Sequence, residues 1–277
     1  MTYGLAILLG LVQGVAEFLP ISSSGHLTLL QHYYGLEEAD SLFNILLHFA
    51  TLLAVCLAYR QDIMEMIVEF FAMIKEIISK DPSPEEKPLS PARRLVFLII
   101  LGTLPLFFIL PIDSWIESFG NNPYFVSCAL LCTGTILYIA DRCPKGKKNI
   151  RSITVKDVLL IGIAQGFATV PGLSRSGSTI SMALLLGVDR NFAVRFSFLL
   201  SLPAVAGATI LKIVDMFGTD FDTALLPLYG TGMIISFVVG YYAIQLVKTL
   251  TNQGKFGIFA YYCWIMGGIS LITLGNV

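Results

Sequence analysis

Four ionisable side chains stand in stretches of sequence that are otherwise apolar: Glu17, His26, His48 and Arg175. A charge at the centre of a membrane helix costs about 2.5–3.5 kcal/mol or more, so such residues are read first as functional, each with a partner nearby. Gln13 and Glu17 are spaced i, i+4 and share one helix face. The pair can hold a cation, orient a water, or activate a hydroxyl as general base. Hydroxyls follow at once, in Ser22-Ser23-Ser24-Gly25-His26. Serines at a helix start satisfy free backbone N–H groups, glycine permits a close turn, and a helix N-terminus is a ready anion site. His26 is placed to act as acid, base or nucleophile. His48, in the middle of a later apolar run, fits a structural hydrogen-bonding role.

A second cluster, Gly172-Leu173-Ser174-Arg175-Ser176-Gly177-Ser178-Thr179, is rich in Ser and Gly around one arginine. The planar guanidinium suits bidentate contact with phosphate oxygens. Ser174, Ser176, Thr179 and the backbone N–H of Gly177 would add donors to such an anion site, as Ser22 and Ser24 would from the first cluster.

The two clusters belong to an internal repeat. Gly10, Gln13, Gly14, Ala16, Ser22, Ser24 and Gly25 match Gly162, Gln165, Gly166, Ala168, Ser174, Ser176 and Gly177 at a constant offset of 152. With one inserted residue, Phe43, Leu46 and Leu47 fall on Phe196, Leu199 and Leu200. The same offset sets Arg175 on Ser23, Thr169 on Glu17 and Ser178 on His26. One half supplies acid–base groups and the other the cation, a division that favours catalysis over symmetric transport. Repeat one is taken as about 1–145 and repeat two as about 153–277.

The elements that must position these residues are membrane helices. Of 277 residues, 55% are hydrophobic and 13% charged, and mean hydropathy is +0.76. A soluble domain carries about 25% charged residues. Several uncharged runs reach roughly 18 residues, enough to cross a hydrocarbon core of about 30 Å as helices. Their continuous apolarity disfavours a β-barrel. Full spans are expected at about 41–59, 93–112, 123–141, 195–213, 225–247 and 256–276. The segments 1–34 and 157–187 are broken midway at LPISSSGH and VPGLSRSGST and are expected to be re-entrant helical hairpins. Residues 63–78 are amphipathic and fit the membrane surface, and Pro-rich 79–92 reads as an exposed loop. The fold class is thus an all-α polytopic membrane protein, with about six spans plus two hairpins.

Three spans separate the hairpins, so the repeats are inverted and the hairpin tips meet near the midplane. Charge counting gives the orientation. Loops 60–94 and 142–156 hold six Lys/Arg each, and 188–195 and 248–255 hold two each, which is 16 of the 18 basic residues. All four regions fall on one side, so that side is cytoplasmic and both termini and the site face outward. Lys212, near a span end, can snorkel. A net charge of −1 offers no electrostatic case for nucleic acid. Cys56, Cys128, Cys132, Cys143 and Cys263 lack flanking metal ligands, and the four within apolar runs read as packing residues.

At this point the chain resembles a known family. Gln13-Gly-Val-Ala-Glu17-Phe-Leu-Pro-Ile-Ser-Ser-Ser-Gly-His26 is similar to the [E/Q]xxxE region of bacterial undecaprenyl-pyrophosphate phosphatases, and Pro171-Gly-Leu-Ser-Arg175-Ser-Gly-Ser-Thr179 to their PGxSRSxxT motif. The likeness extends along the whole chain. It implies hydrolysis of undecaprenyl diphosphate to the monophosphate and phosphate, assisted by Mg²⁺ or Ca²⁺, in the bacterial cell membrane. Lipid-carrier recycling for peptidoglycan synthesis and bacitracin resistance go with it. The key positions it implies are Glu17, Ser23, His26, Ser174 and Arg175, with Gln13 in the variable first position and Gln13 and Glu17 the metal ligands to test. The expected partners are the lipid substrate, membrane lipid and a second copy of the chain. The attacking group is left open among Ser23, His26 and water. A lipid-phosphate transporter is the rival reading. A phosphatase of the type-2 phosphatidic acid class lacks its upstream Lys–Arg motif and downstream His–Asp pair here.

Overall fold

The computed structural model describes residues 2–33, 41–79, 89–215 and 225–274. Among these the chain is helical, and the one extended pairing is an isolated parallel bridge between Lys148 and Val188. In chain order the helices are α1 (Tyr3–Phe18), α2 (Ser23–Tyr33), α3 (Ser41–Ala58), α4 (Arg60–Ser79), α5 (Pro91–Thr103), α6 (Asp113–Ser118), α7 (Pro123–Asp141), α8 (Val155–Phe167), α9 (Arg175–Leu185), α10 (Arg190–Asp215), α11 (Leu226–Asn252) and α12 (Ile258–Leu274). Their starts carry local signals. Thr2 caps α1, Ser90 precedes Pro91 at α5, Asn122 precedes Pro123 at α7, and Thr154 forms a reciprocal capping box with Asp157 at α8.

Among the described residues, four helical stretches are long and apolar enough to span a membrane: Pro91–Ile112, Pro123–Asp141, Arg190–Leu211 and Leu226–Asn252. The other two expected spans differ in detail. The last is the 17-residue apolar helix α12, one residue short of that length. The first, α3, is followed at Tyr59 by a turn of 87° into α4. With α3 across the bilayer, α4 runs along its plane, as its amphipathic sequence requires. The stretch 113–122, expected as a plain loop, folds into α6 and a short 3₁₀ turn. The acidic stretch 35–40, most of 214–224 and most of the Pro-rich loop lie outside the described residues, as does the Lys212 side chain.

Helix contacts are made through small residues, which let backbones approach where apolar burial gives no net drive between helices. On α1, Gly10 and Gly14 face Gly232, Ser236 and Gly240 of α11, and a Cβ added at Gly10 would lie 2.6 Å from the Gly232 carbonyl oxygen. The matching glycine of the second half, Gly162 on α8, abuts the Gly102 carbonyl of α5. Helices α7 and α12 join through Gly134 against Trp264, Gly267 against Leu131, and a Ser127–Ser270 hydrogen bond of 2.8 Å. The cysteines correct the sequence reading: Cys263 is buried, whereas Cys128 and Cys132 point away from the bundle. Turned toward lipid, they meet no penalty there, since a thiol is nearly as apolar as its surroundings.

Candidate active site

Two helix–turn–helix hairpins, α1–α2 and α8–α9, bring their turns together. Each turn is built the same way. Ser22 Oγ accepts the Gly25 N–H at 3.2 Å, and Ser174 Oγ accepts the Gly177 N–H at 3.1 Å. Ser24 and Ser176 place their hydroxyls 3.3 Å from those capping hydroxyls. The tips touch through an equivalent pair of contacts: a Cβ at Gly25 would lie 3.1 Å from Gly172 Cα, and one at Gly177 3.2 Å from Pro20 Cβ. Pro20 and Gly172 are themselves related by the offset of 152. The backbones differ at one point. The left-handed residue is Ser22 (φ 70°) in the first turn and Gly172 (φ 93°) in the second. A left-handed serine is a strained conformation, of a kind that concentrates at functional turns.

At the meeting point Glu17 is the acceptor for the whole cluster. Its side chain is 9% exposed. Ser23 Oγ donates to Oε2 at 2.7 Å, within the range of a hydroxyl bonded to a charged oxygen. Gln13 Nε2 donates to the same oxygen at 3.0 Å, and His48 Nδ1 stands 3.4 Å from it. Arg175, from the other hairpin, reaches Oε1 with Nη2 at 3.3 Å. A buried carboxylate needs such a cation, because desolvation would otherwise neutralise it. Arg175 keeps 31% of its side chain exposed, so donors remain free to meet a ligand. Beside the pair opens a small cleft, lined by Phe18, Ser176, Thr179, Ser197, Phe198 and Ser201 as well as Glu17 and Arg175.

The structure thus brings together Gln13, Glu17, Ser23 and Arg175, as expected, and adds His48. It holds His26 elsewhere. His26 Nδ1–H donates to the Ser22 carbonyl at 2.8 Å, which leaves Nε2 to accept the Tyr262 hydroxyl at 2.8 Å. The two rings stack at 5.5 Å and 12°. The histidine against Glu17 is therefore His48, and His26 braces the strained Ser22. Ser174 and Ser22 serve as caps, and the Thr179 hydroxyl bonds the Arg175 carbonyl at 2.9 Å and the Ser197 hydroxyl. One sequence signal pointed to these additions: at an offset of 153, His48 falls on Ser201 and Asn44 on Ser197. Helices α3 and α10 thus carry i, i+4 pairs at corresponding positions, with His48 beside Glu17 and Ser197 and Ser201 lining the cleft. Nothing local marks Tyr262. Among the described residues, no three His, Cys, Asp or Glu side chains gather as a metal cluster.

Against families of known proteins, residues 6–269 match the model of the bacitracin resistance protein BacA. The chain belongs to the BacA family. Relatives named undecaprenyl-diphosphatase are similar along nearly their whole length. The protein of Methanosphaera stadtmanae is 40% identical over 270 residues, 96% of each chain. That of Methanobrevibacter smithii is 39% identical over 275 residues, 98% of this chain and 97% of its own. That of Desulforapulum autotrophicum is 38% identical over 270 residues, 96% of each chain. Both hairpin turns and every site residue named above lie inside the BacA match. With its spanning helices, this BacA-family chain is a multi-pass membrane protein.

Proposed function

We infer that this BacA-family chain is an integral membrane undecaprenyl-diphosphatase, releasing inorganic phosphate and leaving undecaprenyl phosphate. One observation carries the mechanism: Ser23, Glu17 and Arg175 form a continuous hydrogen-bonded chain across the two hairpin tips. Ser23 Oγ attacks the terminal phosphorus as its proton passes to Glu17 Oε2. The Oγ–P bond forms, the P–O bond to the bridging oxygen breaks, and the prenyl monophosphate departs with that electron pair. Neutralising Glu17 frees the charge of Arg175 as negative charge shifts on the phosphoryl oxygens, so cation and base act in one step. The departing monophosphate takes that proton from Glu17. Water then attacks the phosphoserine phosphorus, its proton passing to Glu17 and on to Ser23 Oγ as the Oγ–P bond breaks and inorganic phosphate leaves. The prenyl tail stays in lipid, since exposing each CH₂ to water would cost about 0.8 kcal/mol.

A divalent cation fits this site as a companion of the substrate. Protein ligands alone do not suffice, because Glu17 is the one carboxylate of the cluster. Glu17 and the buried Gln13 Oε1, which has no protein partner among the described residues, would hold it together with diphosphate oxygens. It would supply charge neutralisation of the diphosphate.

The repeats, in this reading, are inverted about the meeting of the tips. Support comes from the paired caps and contacts at one offset and from the odd number of intervening spans. The 16 basic residues counted on one side support an orientation with both termini, and the mouth of the site, outside. Purified protein in detergent, assayed for phosphate release from undecaprenyl diphosphate and shorter prenyl diphosphates, tests the assignment. Release that vanishes in Ser23→Ala supports it. Active wild-type protein with an equally active Ser23→Ala removes Ser23 as nucleophile, and a wild type that binds lipid phosphate without hydrolysis favours the transporter.

A further inference from the structure

We propose that His48 is a positioning residue for the diphosphatase reaction, acting on Glu17 through the Gln13 amide. This rests on the activity inferred above. Neither sequence motif contains His48. It comes from α3, and its ring is brought to α1 by the path of the chain.

Two contacts orient the Gln13 amide. A carboxylate oxygen only accepts, so the Gln13 atom 3.0 Å from Glu17 Oε2 is an N–H donor. The same nitrogen lies 2.9 Å from His48 Nδ1 and turns its second hydrogen there. In that contact His48 Nδ1 accepts, with the ring hydrogen on Nε2. The carbonyl oxygen of Gln13 is buried and finds no partner among the described residues. The amide is thus held in orientation by two acceptors, Glu17 and His48, and by nothing on its oxygen side.

Removing His48 Nδ1 leaves an amide with one bond and a buried, unpaired oxygen. Rotating it by half a turn would then place that oxygen against Glu17 Oε2. Two acceptors repel, and Glu17 would be pushed away from the Ser23 hydroxyl that it holds at 2.7 Å. A displacement of about 1 Å at a reacting group can cost on the order of 100-fold in rate. The pseudo-symmetric position shows the contrast. Ser201 replaces His48 there, its hydroxyl donating to the Phe198 carbonyl, and Gln165 replaces Gln13 with both amide atoms buried and without a partner among the described residues. That half has Thr169 in place of Glu17, so it has no base to orient.

Three substitutions separate acceptor, volume and proton transfer. His48→Ala should lower kcat roughly 10- to 100-fold with KM changed less than about threefold. His48→Asn, whose Oδ1 sits near the lost Nδ1 and does not titrate, should restore kcat to within a few-fold of wild type. His48→Phe keeps the ring without the acceptor and should resemble His48→Ala. In a Gln13→Ala background, His48→Ala should cost less than about threefold more, because the intermediary is already gone. Rescue by Phe but not Asn would make the role packing, and failure of both would make the ring a proton carrier. Either result overturns the proposal, as does a His48→Ala protein with full kcat. Phosphate release by the wild type in the same assay reports separately on the underlying activity.

Discussion

Replacing Arg175 by lysine tests how the site uses its cation. The arginine reaches Glu17 Oε1 with one terminal nitrogen at 3.3 Å, while nearly a third of its side chain stays open. Its planar fork can hold Glu17 with one edge and phosphoryl oxygens with the other. A lysine carries the same charge on one compact ammonium. It can stay with Glu17 or move to the phosphate, but it cannot span both. The loss is therefore one charge-assisted contact made mainly in the transition state. Such a contact is worth about 2–4 kcal/mol, by analogy with an oxyanion donor. The expected result is a kcat lower by about 30- to 1,000-fold, with thermal stability within a few degrees of wild type. Phosphate release from undecaprenyl diphosphate, measured in detergent beside a thermal unfolding curve, reads both. A folded Arg175→Lys protein with near-full turnover would refute the fork argument and leave only a requirement for positive charge.

Glu17→Gln keeps the size of the side chain but removes the base, and kcat should fall by about 10²–10⁴. Wild-type turnover in the folded variant would make Glu17 a structural residue. Gly10→Ala forces a methyl to within 2.6 Å of the Gly232 carbonyl and should destabilise by about 1–3 kcal/mol. Gly4→Ala, where a Cβ meets nothing within 4 Å, is the control; equal melting temperatures would show that α1 and α11 pack differently. In a background without native cysteines, a cysteine near residue 120 should react with an impermeant thiol reagent added to whole cells, and one near residue 148 should not. The reverse pattern would invert the topology.

Much of this architecture is legible in the sequence because the bilayer is a demanding solvent. Long uncharged runs have few fates, and the Ser/Gly/Pro clusters that interrupt two of them fall at the turns of α1–α2 and α8–α9. Local chemistry also gave the caps, since Ser22 and Ser174 bond the backbone three residues on. Which histidine stands beside Glu17 was harder. His26 is nine residues from Glu17 in the chain, yet the α2 helix carries its ring toward Tyr262 of α12, 236 residues away. His48 is 31 residues from Glu17 and arrives beside it because α3 packs on α1. Sequence spacing predicts neighbours within a helix; it says little about which neighbouring helix fills the space next to a side chain. The repeat carried part of that information, because Asn44 and His48 on α3 correspond to Ser197 and Ser201 on α10, and these line the cleft.

The same comparison explains why a duplicated scaffold yields one site. Both hairpins have equivalent caps and equivalent tip contacts, but the position after the capping serine is Ser23 in one and Arg175 in the other. At the tips, the first hairpin supplies the carboxylate, Glu17, and the second the cation, Arg175. Each charge alone in a membrane interior would cost several kcal/mol, which is reason enough for neither half to hold its geometry by itself. Meeting at the tips, Glu17 and Arg175 compensate each other at 3.3 Å. In the proposed mechanism, the pair that stabilises the joined hairpins is also the pair that receives a proton and stabilises a phosphoryl group. Removing one partner should therefore weaken the fold and the reaction together, whereas a change that preserves both charges but alters their shape should separate the two. That separation is what Arg175→Lys measures, and why it discriminates where Arg175→Ala, which strands Glu17 without a counterion, would not.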